Sequence, residues 1–214
     1  MGSTSYIDDS LRSFLVKLGG KSPEPAGGAA LALAGASAAA LMSLTCHTGL
    51  SSSTSPDEQA VLSACQLQSE QLSARIQHLI DEDVRAYRAV TRSLRLPQAT
   101  PDQHAERRRA LDQALAHASE IPLEVARACL DILDLAVRIE PSVSPPVMGD
   151  LAAAVHLAEA AIKGSLRNAR INAGTMADQE RAGEIRASID DLARRARALT
   201  EQAEQALRTR GFAE

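Results

Sequence analysis

The chain has 214 residues, a net charge of −4 from 23 basic and 27 acidic side chains, and a hydrophobic share of 45%. That is enough apolar material for a full core and too much for a disordered chain, while the slightly acidic balance gives no support to nucleic-acid binding, which calls for a basic stripe. With two Phe, two Tyr and no Trp, the interior must be filled by Ala, Leu, Ile and Val, which favours closely spaced helices over a β-sandwich.

These features predict a soluble, all-α bundle of long helices forming a single domain over residues 1–214. The start, Met1 to Tyr6, lacks the basic residues and apolar run of a secretory signal. Cys46, Cys65 and Cys129 form no CxxC pair, so they read as buried thiols in a reducing, cytoplasmic setting. Beside Cys46, His47 has no further ligand at metal spacing, and no metal site is expected.

The first predicted helix runs from Asp8 or Asp9 to Leu18, with Leu11, Phe14, Leu15 and Leu18 on one stripe and Gly19-Gly20 as its stop. Ser22-Pro23-Glu24-Pro25 is a stiff, extended connection. A second helix is predicted from about Gly27 to Thr45. Gly28, Ala32, Ala36 and Ala40 give it a small-residue face, and its uncharged stretch from Ala26 to Leu44 reads as a central core helix rather than a membrane span. The Ser-rich run from His47 to Ser55 reads as a loop.

Ser55-Pro56-Asp57-Glu58 then opens a helix approaching 40 residues that reaches Leu94, with a Ser cap, Pro at the first position and Glu three after the cap. Two related helices follow, Asp102 to Ser119 and Glu120 to Ile139, with a kink or restart at Pro122. Beyond the bend from Pro141 to Pro146, helices are predicted from Val147 to Gly174 and from Glu180 to Arg208, the last charged and external.

Polar residues inside small-residue stripes are where chemistry can sit. On the helix after Pro146, Asp150, Ala154, Leu157, Ala161, Gly164, Asn168 and Asn172 share a face, either as the wall of a groove for a flat polar ligand or as a helix-start acid plus two Asn bonding to neighbours. Asp83 and Tyr87, one turn apart, can orient a water or hold an amidinium-like cation beside a ring; equally, Asp83 can pair with Arg85 or face solvent. Lys163, Arg167 and Arg170 can meet ligand carboxylates. Gly27 and Gly28 expose amides at a helix start, an anion-friendly spot or simply a tight entry turn.

Several ordered motifs resemble the cyclodeaminase/cyclohydrolase family, that is, the C-terminal domain of formiminotransferase-cyclodeaminase and its stand-alone bacterial relatives. Ser22-Pro23-Glu24-Pro25-Ala26-Gly27-Gly28-Ala29 resembles that family's Pro- and Gly-rich opening. Glu82-Asp83-Val84-Arg85-Ala86-Tyr87 resembles its central acidic segment, and Pro122-Leu123-Glu124-Val125-Ala126 its Pro-Leu-Glu-Val-Ala motif. Gly149-Asp150-Leu151-Ala152 and Asn168-Ala169-Arg170-Ile171-Asn172 resemble its late helix. The resemblance spans roughly Leu11 to Asn172 and implies an all-helical homodimer acting on folates.

As what the resemblance implies, the reaction is hydrolysis of 5,10-methenyltetrahydrofolate to 10-formyltetrahydrofolate. The alternatives are cyclodeamination of the formimino compound and non-catalytic binding of a folate or other small molecule. Asp150 and Asp83 take the catalytic positions, Gly27, Gly28, Tyr87, Asn168 and Asn172 the substrate contacts, and no membrane or nucleic-acid partner is implied. No metal or redox cofactor is needed, because the methenyl carbon is already electrophilic. The chain departs from the family pattern at Ala26, Ala29 and Ala152, and the run from Cys46 to Ser55 has no lysine.

Overall fold

The computed structural model describes residues 5–53 and 55–210. Residues 1–4, read above for a secretion signal, and Thr54, in the predicted loop, lie outside them. The elements are helices α1 (Leu11–Leu18), α2 (Gly27–Ser52), α3 (Pro56–Leu94), α4 (Pro101–Ile139), α5 (Met148–Thr175) and α6 (Gln179–Thr209), with 3₁₀ turns at Glu140–Ser142 and Pro145–Val147. Among the described residues there is no strand. The fold is all-α, as the composition predicts.

α2 is the axis of the bundle. It packs on α3, α4 and α5, while α6 closes the far side against α4 and α5. Small residues make this close approach possible: Ala29, Ala32, Gly35, Ala36 and Ala39 are buried along it. A Cβ on Gly35 would meet Cys129 Sγ at 2.7 Å. The antiparallel register with α3 follows from three pairs, Gly28 against Asp83, Gly35 against Ile76 and Gly49 against Leu62. That register also sets exposed Leu44 and Leu67 at the same level. By length and composition α2 alone passes as a membrane span among the described helices, yet half of that window is buried inside the bundle.

Three predicted boundaries are corrected. α2 does not stop at Thr45 but continues to Ser52 through the predicted loop. The hydroxyls of Thr48, Ser51 and Ser52 bond back to carbonyls one turn earlier, and Gly49 lets Leu62 pack against the backbone. α4 is one 39-residue helix that carries Pro122 in its interior instead of restarting there. α1 starts at Leu11, after a Ser10 cap, and its predicted stripe is mostly open: Phe14 is buried, but Leu11 is 63% exposed.

Helix starts follow the cap chemistry. Ser55 Oγ accepts from Glu58 N at α3. The Glu58 carboxylate turns away to Ser53 Oγ, so the reciprocal box is completed at α4 instead, by Thr100 and Gln103. The N-terminal segment is tied down by Asp81, which accepts from Tyr6 N at 2.6 Å and from Ser5 Oγ at 2.7 Å. At the other end Arg210 donates to the carbonyls of Glu140 and Val143. The buried apolar residues form one contiguous cluster from Tyr6 to Leu207.

Candidate active site

The site begins with a missing cap. The N-cap position of α2 is Ala26, whose methyl group accepts nothing, and no side-chain cap bond is made there. The first amides of α2 are therefore orphan donors. Asp83, reaching across from α3, supplies the acceptor: its carboxylate takes the backbone N–H of Ala29. It lies flat on Gly28, where an added Cβ would stand 2.0 Å from Oδ1 and 2.6 Å from Oδ2. Only a residue without a side chain leaves room for the carboxylate there.

Two adjacent acids in α3 are thus driven apart electrostatically. Glu82 faces outward to Arg85 at 2.8 Å and His78 at 3.1 Å. The hydrogen bond from Arg85 leads the causes that lower its pKa. Burial pushes Asp83 the other way, raising its pKa despite the opposing Ala29 N–H bond. Neighbouring carboxyls in such unlike surroundings have their proton affinities pushed apart, with Asp83 the more basic of the two. The alternative pairing of Asp83 with Arg85 is not made, because Arg85 is taken by Glu82.

Asp83 opens into a cleft of about 330 Å³, which brings together Gly27, Gly28, Tyr87, Asn168 and Asn172 from three helices. Pro23 and Glu24 form one rim, and Glu24 is gripped by Arg88 through Nε at 2.8 Å. Tyr87 is 41% exposed and stands at the mouth. A Cβ added at Gly27 would meet nothing within 4 Å, so the floor beside it is open space. Asn172 Nδ2 donates to the Ala118 carbonyl of α4 at 2.9 Å. Asn168 has no hydrogen-bond partner among the described residues.

Asp150 does not join them. It lies in the first turn of α5, eighteen residues before Asn168, which is about 27 Å along the axis. The shared face between them is not an open groove wall. Ala154 and Ala161 are buried, and Gly164 is pressed by Leu31, whose Cδ2 would meet a Cβ at 2.4 Å. Only the C-terminal end of the stripe opens to the cleft. Lys163, Arg167 and Arg170 project to the opposite side of α5, into a groove of about 780 Å³ shared with α6. There Lys163 pairs with Glu159 and Arg170 with Asp190.

Two features of the cleft escape the sequence reading, the Glu24–Arg88 clamp and the Ala118 carbonyl. The first has no local signal, its partners being 64 residues apart in the chain. The second is signalled by Pro122, which cannot bond to the carbonyl four residues before it.

Comparison with known proteins matches residues 10–191 to the formiminotransferase-cyclodeaminase family model. A methenyltetrahydrofolate cyclohydrolase from Methylorubrum extorquens is 30% identical over 91% of this chain and 94% of its own length. The formimidoyltransferase-cyclodeaminase of Rattus norvegicus is 26% identical over 90% of this chain, which spans 36% of that longer protein. The crystal structure of formiminotetrahydrofolate cyclodeaminase from Thermotoga maritima shares the fold, with a TM-score of 0.85 over 94% of this chain and 97% of that one, at 18% identity. The sequence match over most of the chain, together with the near full-length likeness to a cyclohydrolase, places this protein in the formiminotransferase-cyclodeaminase family.

Proposed function

We propose that the protein is a folate one-carbon enzyme that hydrolyses 5,10-methenyltetrahydrofolate to 10-formyltetrahydrofolate at the cleft around Asp83. The observation that carries this reading is the desolvated Asp83 carboxyl, fixed between Gly28 and the start of α2 and opening onto polar walls. The near full-length match to a methenyltetrahydrofolate cyclohydrolase supports the same choice.

The chemistry follows from the charge of the substrate. The bridge carbon sits between two nitrogens and shares one positive charge, so an ionised Asp83 favours its binding in a partly dry site. Asp83 takes a proton as water adds to that carbon, giving a neutral tetrahedral adduct. The same carboxyl then returns the proton to the departing N5, the C–N5 bond breaks, and the adduct's hydroxyl proton is released as the formyl group forms on N10. A pKa raised by burial suits a group that must both accept and return a proton. Tyr87, Asn168, Asn172 and the Gly27–Gly28 backbone hold the ring system in this scheme. Asp150 can contribute to this cleft only from another copy of the chain.

Cyclodeamination is the second reading, favoured by the shared fold of the Thermotoga maritima cyclodeaminase; there Asp83 would protonate the leaving ammonia. The protein acts in the cytoplasm as a homodimer in this proposal. Three buried free thiols fit the compartment. The uncharged α2, with Leu44 47% exposed, fits a second copy packing on it.

The test is decay of the 5,10-methenyltetrahydrofolate absorbance with wild-type and Asp83→Asn protein, against the uncatalysed rate at the same pH. An Asp83-dependent rate is expected. Wild-type decay no faster than buffer, together with ammonia release from the formimino substrate, would replace the first reading by the second.

A further inference from the structure

We infer that Pro122 is a positioning residue that fixes which way round the Asn172 carboxamide stands in the cleft, so that a ligand edge meeting Asn172 Oδ1 must be a donor. The inference rests on the folate reading above and adds which edge of the folate's pterin ring the α5 wall reads.

An interior helical residue closes the carbonyl four positions earlier with its own N–H. Pro122 has none, so the Ala118 carbonyl is left without its helical partner inside a continuous α4. Asn172, from α5, takes that place at 2.9 Å. A carbonyl only accepts, so the atom facing it is necessarily the Asn172 NH₂ group. The carboxamide is thereby held one way round, with one N–H spent on Ala118 and Oδ1 left as its acceptor. Ala118, Pro122 and Asn172 all line the cleft, next to Asp83 and Gly28.

Asn168, one turn before, lacks such an anchor among the described residues and can present either end. Asn172 therefore sets the sign. A ring edge with adjacent N–H groups, such as the amino-pyrimidinone edge of a pterin, satisfies Oδ1, whereas a carbonyl or carboxylate edge would face it acceptor to acceptor. Sites built to bond a particular group discriminate strongly against analogues that lack it, because the fixed polar atom is then left unpaired.

Calorimetric binding of tetrahydropterin and of its 2-desamino, N3-methyl analogue, which has no donor on that edge, tests the assignment. Wild type should prefer tetrahydropterin by roughly tenfold or more. Pro122→Ala supplies an N–H to the Ala118 carbonyl and favours the helix, so folding is not at risk. It should release Asn172 and reduce the preference several-fold. Asn172→Ala should remove the preference, and adding Pro122→Ala to it should change nothing further. If Pro122→Ala keeps the wild-type preference while Asn172→Ala loses it, the anchoring role is overturned. If Asn172→Ala keeps it, the donor assignment is overturned. If wild type binds neither probe, the pterin reading itself fails and takes this inference with it.

Discussion

Gly28→Ala should inactivate the protein without unfolding it. The added Cβ would lie 2.0 Å from Asp83 Oδ1 and 2.5 Å from Cγ, where ordinary contact begins at 3.4 Å, so the carboxylate must retreat by about 1.4 Å. A short side chain on a helix packed against α2 cannot do this by rotating its tip alone, and the Ala29 N–H bond is lost with the move. A misplacement of about 1 Å costs roughly 10²-fold in rate. The stability change is smaller: overpacking costs about 1–3 kcal/mol, against up to about 1 kcal/mol gained by replacing a helical glycine. The assay is kcat for methenyl hydrolysis, with urea midpoints as the folding control. Gly27→Ala, whose Cβ would have no neighbour within 4 Å, should keep kcat within a few-fold and alter only KM. The reasoning fails if Gly28→Ala retains more than half of the wild-type kcat. It fails equally if Gly28→Ala costs as much in an Asp83→Ala background, where there is no carboxylate to displace.

Asp83→Asn should raise the melting temperature at pH 8, by an amount that shrinks towards pH 4. Burial raises the folded-state pKa of Asp83 above its ordinary 3.8, so its contribution to stability is full below that value and is lost as pH rises through the raised one; an Asn variant that melts no higher at pH 8 would contradict this. Gly164→Ala drives a methyl to 2.4 Å from Leu31 Cδ2 and should cost about 1–3 kcal/mol in urea denaturation, partly restored by Leu31→Ala; additive losses in the double variant would refute the contact. Burial pushes the Cys46 and Cys129 thiols up to about 12. At pH 8 only about one in 10⁴ would be thiolate, so labelling of both should track urea unfolding, and fast labelling of the native protein would speak against their burial.

Much of this arrangement is legible in the sequence. Asp83, Tyr87, Gly27, Gly28, Asn168 and Asn172 stand out there as polar or flexible positions in helical stripes, and the structure gathers all six at one cleft. Asp150 groups with the two Asn on the same pattern only because helical periodicity reports angle around an axis and says nothing of distance along it. The extension of α2 past Thr45 is hidden because serines favour turns in isolation, while here their hydroxyls fold back on the helix and Gly49 receives Leu62. Pro122 reads as a break for the same kind of reason. The side chain that replaces its missing bond lies fifty residues later, on another helix.

The contact between Gly28 and Asp83 also works as a gauge. One jaw is the end of the helix on which α3, α4 and α5 all pack, and the other is a side chain of α3. A shift of α2 against α3 that is too small to expose the core would still open or close this gap. Catalytic output is therefore tied to the seating of the whole bundle. On warming, or after a cavity such as Met42→Ala is cut into the buried middle of α2, turnover should decline while helix content is still intact.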